Sequence, residues 1–222
     1  MSFNEASISA ELSAGLQALV ESGCLPAAVI AKLESDLLVY LRELAKWNRA
    51  YNLTAVRDPQ AMVTRHLLDS LTVHSFLRGR RILDAGTGAG LPGIPLALTN
   101  PDKQFVLLDS NGKKTRFVQH AVGALGLHNV EVVQARIEQW ETTGLFDTVI
   151  SRAFSSLQDF VVTSGRYINE AGCLLAMKGR QPGEEIEALP ESWTVARIER
   201  VNVPGLDAER HIVVLEPAPT RA

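Results

Sequence analysis

A chain of 222 residues, 46% of them apolar, has the material for one ordinary domain with a real core and an appended segment. Its formal charge of −3 excludes a globally basic polyanion binder, so any attraction for nucleic acid must come from a local patch of Lys and Arg. Cys24 and Cys173 lie far apart and outside any C-x-x-C, which argues against a zinc site or a disulfide framework; no basic segment precedes an apolar core at the start, and no run approaches a bilayer span, so a soluble cytoplasmic protein is expected.

Residues 1–25 are small, polar and weakly patterned, interrupted by Gly15 and Gly23, and read as one weak helix. A firmer helix starts at Pro26, with Ile30, Leu33, Leu37, Tyr40, Leu41, Leu44 and Trp47 recurring at three and four. The amide-rich run from Asn48 to Thr54 breaks it. Asp58-Pro59 then reads as the N-cap and first residue of another helix through Met62, Val63, Leu67, Leu68 and Leu71, on which an Arg65–Asp69 pair falls at i, i+4. After Arg78-Gly79-Arg80, strands and helices alternate. Strands are expected at Arg81 to Asp84, Gln104 to Asp109, Val130 to Gln134, Phe146 to Ser151 and Cys173 to Lys178, joined by crossover-length helices. A short helix around Glu184 to Leu189 follows, then two extended runs, Thr194 to Val203 and Glu209 to Glu216, linked by Pro204-Gly205-Leu206-Asp207 as an antiparallel hairpin. An open parallel sheet closed by such a hairpin is similar to the Rossmann-like α/β fold of class I S-adenosylmethionine-dependent methyltransferases. The expected division is a helical extension over 1–77 packed on an α/β domain over 78–222.

The densest chemical signal is Asp84-Ala85-Gly86-Thr87-Gly88-Ala89-Gly90-Leu91, a strand turning tightly into a helix whose first N–H groups face a ligand. Gly88 to Gly93 also satisfies G-x-G-x-x-G, which keeps an NAD-dependent oxidoreductase as the alternative. The frame Asp84-x-Gly86-x-Gly88-x-Gly90 accounts better for the four residues between the strand and that pattern. In it Asp84 meets a cationic group such as an amino-acid ammonium, and the glycines carry the carboxylate and ribose side. Asp109 ends the second strand nineteen residues after Gly90, where a doubly wound fold sets an acid over a ribose. Ile137-Glu138, after the third strand, falls beside an adenine in that frame. After the fourth strand stands Ile150-Ser151-Arg152-Ala153-Phe154, without the Asn/Asp-Pro-Pro-aromatic motif that many amine methyltransferases carry there. A ring nitrogen such as guanine N7 offers a lone pair and no proton, so its methylation asks for positioning rather than a general base. Lys113, Lys114, Arg116, Arg152, Lys178 and Arg180, joined by Arg65 and His66, fall around the carboxyl edge of the expected sheet as a basic mouth.

Lys46-Trp47-Asn48 with Tyr51-Asn52-Leu53-Thr54, Arg65-His66-Leu67-Leu68-Asp69-Ser70, Asp84 to Pro95, Leu108-Asp109-Ser110 with Lys113-Lys114, Ile150 to Phe154, Lys178-Gly179 and Glu209-Arg210-His211 together resemble the RsmG (GidB) family of bacterial methyltransferases. The resemblance implies S-adenosylmethionine as methyl donor, no metal, and a guanosine N7 near the decoding centre of 16S rRNA as acceptor, met in the assembled or assembling small subunit by a monomer. It places donor contacts at Gly86, Leu91, Ile137, Glu138 and Arg152, with Asp109 on the ribose. Arg152 is then the residue between donor and acceptor.

Overall fold

The computed structural model describes residues 3–219, so the extreme ends of the expected segments 1–77 and 78–222 lie outside the described residues. Asn4 caps α1 (Glu5–Glu21), whose Ile8, Leu12, Leu16 and Leu19 form one buried stripe. The N-terminal segment is therefore a full packed helix, firmer than its small and polar composition suggests. Polar residues fill its outer face, and the apolar ones recur at four, four and three. After a 3-10 turn (Ala27–Val29) comes α2 (Ile30–Tyr51), ended by Asn52 in the left-handed region. Asp58 caps α3 (Pro59–Met62) by accepting from the Gln60 N–H, with Pro59 at the first helical position as expected.

The continuation is not α-helical. Val63–Leu68 forms a π-helical stretch before α4 (Asp69–Leu71). The expected i, i+4 pair does not form among the described residues: Asp69 bonds Arg152 and Arg210 instead of Arg65.

The sheet holds β1 (Arg81–Ala85), β2 (Gln104–Asp109), β3 (Val130–Gln134), β4 (Phe146–Ser151), β5 (Ile168–Lys178), β6 (Trp193–Arg200) and β7 (His211–Pro217), in the order β3-β2-β1-β4-β5-β7-β6. The first five strands run parallel, and β7 enters antiparallel between β5 and β6. Crossovers are supplied by α5 (Gly93–Thr99), α6 (Gly112–Leu125) and α7 (Leu157–Ser164), while α8 (Gly183–Glu187) stands where the short helix was expected. The hairpin strands are shorter than their extended runs, and the link 201–210 carries Arg210 out of the sheet.

Both faces of the sheet are covered, as parallel strands require. In β1, Ile82 faces a core shared with α1, α2, the π stretch, α5 and α6, whereas Leu83 faces the core under α7, with Leu157, Phe160 and Val161. One apolar cluster thus runs without a break from Ile8 of α1 to Ile212 and Val214 of β7. Strand order reverses direction between β1 and β4, so the crevice beyond their carboxyl ends is the place where such sheets take ligands. Asp84 pairs with Ile150 there, and the Ser151 hydroxyl donates to the Ala85 carbonyl at 2.6 Å, which ties the two strand ends together.

Candidate functional site

The glycine turn is built around a carboxylate that points away from the solvent. Asp84 is fully buried, and its Oδ2 accepts from the Thr87 hydroxyl at 2.6 Å and from the Gly93 N–H at 2.8 Å. Burial raises its pKa to about 6, against those hydrogen bonds, which lower it. Asp84 therefore holds the turn from within and does not line the cavity in front of it. Its Oδ1 is buried without a partner among the described residues. Gly93 leaves room for this carboxylate, since a Cβ there would lie 2.8 Å from Asp84 Oδ2 and 2.1 Å from Leu107 Cδ2.

In front, Gly88 stands at φ +62°, with nothing closer than the Gly86 carbonyl 4.0 Å from the position of a Cβ. Its backbone is open to a ligand. Its N–H donates to Asp109 Oδ2 at 2.9 Å, and Asp109 Oδ1 accepts from the Asn111 N–H at 2.8 Å. The acid at the end of β2 is thus oriented and adjoins the turn, as its spacing from Gly90 predicts. Gly90 itself is packed against Ile94 and has a structural place in the turn. From the far side Tyr40 of α2 reaches the turn and donates to the Ala89 carbonyl at 2.6 Å; burial pushes its own ionisation far up, so it stays a donor.

Ile137 and Glu138 lie in a 3-10 turn (Ile137–Gln139) whose carbonyls accept from Arg166 Nη2 at 2.9 and 2.8 Å, while the Tyr167 hydroxyl donates to the Ile137 carbonyl. The Ile137 side chain is buried with Leu108 and Ala85, behind the β2 end.

Beside the turn opens a cavity of about 540 Å³, lined by Leu53, Thr54 and Val56, by Arg65, His66 and Asp69 of the π stretch and α4, by Gly86 to Ala89 and Leu91, by Arg152 and Ala153, by Met177 to Gly179, and by Arg210. The size suits a cofactor-sized ligand or a nucleobase. It unites Gly86, Gly88, Leu91, Arg152, Arg65, His66 and Lys178 from the sequence-predicted set. Asp84, Gly90, Asp109, Ile137 and Glu138 lie outside its lining, and so do Lys113 and Lys114 at the start of α6. Arg180 lines a separate groove with Gly179, Ala208, Glu209 and Arg210.

The cavity's charges differ from those of a simple basic mouth. His66 is buried; its Nδ1 donates to the Arg65 carbonyl at 2.9 Å, so Nε2 accepts from the Thr54 hydroxyl at 2.8 Å. Burial, with the Arg152 guanidinium adding to it, pushes its pKa down to about 4. At neutral pH it is an uncharged group and adds nothing to a cationic surface. Lys178 bonds Glu185 at 2.7 Å and the Ser155 carbonyl at 3.3 Å, and Glu185 also accepts from the Leu157 N–H, so Lys178 seals the loop after β4. The cationic groups that remain are Arg65, exposed, and Arg152 and Arg210, which share Asp69 at 3.1 and 2.8 Å. Sequence reading named Asp69 and Arg210 only within stretches that resemble the family and gave them no site role; one reads as a helix acid and the other as the start of an extended run, 141 positions apart.

Comparison with known proteins settles the family. The model of the GidB family, rRNA small subunit methyltransferase G, matches residues 33–213. The chain belongs to this family. A ribosomal RNA small subunit methyltransferase G from Nitrosococcus oceani is 54% identical over 82% of this chain and 85% of its own length. The one from Xanthomonas oryzae is 46% identical over 97% of this chain and 100% of its own. Among solved structures, TrmN from Thermus thermophilus shares the fold at TM-score 0.56 and 19% identity, over 70% of this chain and 53% of that one. A Thiobacillus denitrificans S-adenosylmethionine-dependent methyltransferase, solved with S-adenosyl-L-homocysteine, does so at 0.54 and 12%, over 80% and 98%. The nicotinamide alternative finds no support in this family or in the sheet with its inserted hairpin.

Proposed function

We propose that this GidB-family chain transfers a methyl group from S-adenosylmethionine to N7 of a guanosine in 16S rRNA. The observation that carries the reading is one continuous edge: an open glycine turn beside the oriented carboxylate of Asp109, and next to it a cavity whose net charge is positive. The residues fit the donor. The free face of Gly88 admits a ligand against the backbone, and Asp109 retains lone pairs for ribose hydroxyls while repelling a 2′-phosphate. Gly86, Leu91 and the Ile137-Glu138 turn complete the donor side of the proposal, with Gly90 and Asp84 as its framework.

Bound S-adenosylmethionine supplies an electrophilic methyl on a sulfonium. The chain's part is alignment. Guanine N7 attacks with an existing lone pair, so no side chain needs to remove a proton, and His66, with both ring nitrogens engaged inside the protein, is not available as a base. Arg152 lines the same cavity as the turn, and in this reading it orients the base for in-line approach. Arg65 carries the exposed charge for RNA, and Lys113, Lys114 and Arg180 extend the cationic margin beyond the cavity.

In this reading the substrate is the assembled or assembling small subunit, and the enzyme acts as a cytoplasmic monomer. Among the described residues no helix is long and apolar enough to cross a membrane. Incubation of the purified protein with labelled donor and undermethylated small subunits or their RNA is expected to yield 7-methylguanosine on nucleoside analysis. Label confined to an exocyclic amine, a ribose or a pyrimidine would refute the N7 assignment.

A further inference from the structure

Two guanidinium groups from opposite parts of the chain meet on one carboxylate. Arg152 follows β4 and Arg210 precedes β7, and each donates to a different oxygen of Asp69, whose side chain is only 5% exposed. An unpaired pair of cations held this close in a half-buried cavity would repel, and a carboxylate buried alone would be costly. Together they form a triad of net charge +1. The Glu209 carbonyl takes a further N–H of Arg210 at 2.8 Å, which fixes the plane of its guanidinium. Guanidinium presents five donors in a rigid fork, so both arginines keep N–H groups for a ligand, and their side chains remain 24% and 26% exposed. Arg65 lines the same cavity, while His66 is neutral there and Lys178 is already paired.

We propose that Asp69 is a positioning residue: it presents Arg152 and Arg210 as one paired fork that grips a backbone phosphate of the acceptor RNA beside the target base. The chemistry recognised is a phosphodiester oxygen pair, for which arginine forks have the right geometry. The inference rests on RNA being the acceptor. It assigns Asp69 no contact with the reacting atoms. Asp69 acts through the two arginines.

The test compares Arg210→Gln, Asp69→Asn and the double variant with the wild-type chain. The readouts are KM and kcat for undermethylated small subunits, the RNA dissociation constant as a function of salt, and the donor dissociation constant. Arg210→Gln, on an exposed link, is expected to raise RNA KM and dissociation constant about tenfold and to flatten the log–log salt slope by about 0.7 to 0.9, the loss of one phosphate contact, with donor affinity kept within about twofold. Asp69→Asn is expected to weaken RNA binding alone and to add less in the Arg210→Gln background, where only Arg152 is left for it to release. An unchanged salt slope in Arg210→Gln, or fully additive losses in the double variant, would overturn the proposal. So would an Asp69→Asn loss confined to donor binding. Should Asp69→Asn not fold, the salt slope of Arg210→Gln decides alone. The wild-type product separates the two failures: absence of 7-methylguanosine refutes the proposed function, whereas a methylating enzyme with unaltered Arg210→Gln refutes only the clamp.

Discussion

At the scale of single residues, buried ionisable groups around the turn make opposing demands. Asp84 has a folded pKa near 6 against 3.8 for the free group, so between those values the folded state holds a proton that the unfolded state has lost, and stability falls as pH rises through that window. His66 is the reverse. Its folded pKa of about 4 lies below 6.5, the unfolded chain holds the extra proton in between, and stability rises with pH there. The two slopes largely cancel over the same range. His66→Gln removes one of them, so its stability is predicted to decline from pH 4 to pH 6 relative to wild type, by on the order of 2 to 3 kcal/mol, in urea unfolding at fixed pH values. Parallel trends for the two proteins would contradict this. Arg152→Ala is predicted to keep the far-UV circular dichroism of the fold and to lower turnover about 100-fold through lost orientation; turnover within threefold of wild type would remove Arg152 from the mechanism.

At the scale of elements, the sequence is most informative where one local rule decides the outcome. The strands β1 to β4, the Asp58-Pro59 helix start and the Gly88 turn follow from apolar runs, capping chemistry and positive φ, and all were readable. The π stretch was not, because nothing in Val63–Leu68 distinguishes i+5 from i+4 bonding; it packs against α1, an element some forty residues before it. Asp69 pairs with Arg152 and Arg210, partners far away in the sequence, rather than with Arg65, so the charge layout of the cavity became visible only in three dimensions. The burial of Asp84 behind the turn was equally hidden, since a strand-end acid reads the same whichever way it faces. Packing at this junction is tight: a Cβ on Gly15 of α1 would lie 2.2 Å from Leu68 Cδ1. Gly15→Val is therefore predicted to destabilise the protein by about 1 to 3 kcal/mol, lowering the thermal midpoint by roughly 2 to 10 °C. An unchanged midpoint would show that α1 gives way without cost.

At the scale of the molecule, the helical segment and the sheet share one core, so a boundary near residue 78 is proposed as a change of architecture rather than as a line between independently folding parts. Tyr40 reaches from α2 to the donor turn, and Asp69 reaches from α4 to the ends of β4 and β7. The N-terminal helices thereby complete both sides of the site that the sheet opens between β1 and β4. In the proposed function, one edge of one sheet, finished by the helices before it, aligns a methyl donor with a guanine of small-subunit RNA. Its most direct test is to map the label after reaction of the purified chain with S-adenosylmethionine and undermethylated small subunits. The expected product is one 16S rRNA guanosine carrying the methyl group at N7; a 16S rRNA that stays unlabelled, or is labelled at many unrelated positions, would contradict the proposed function.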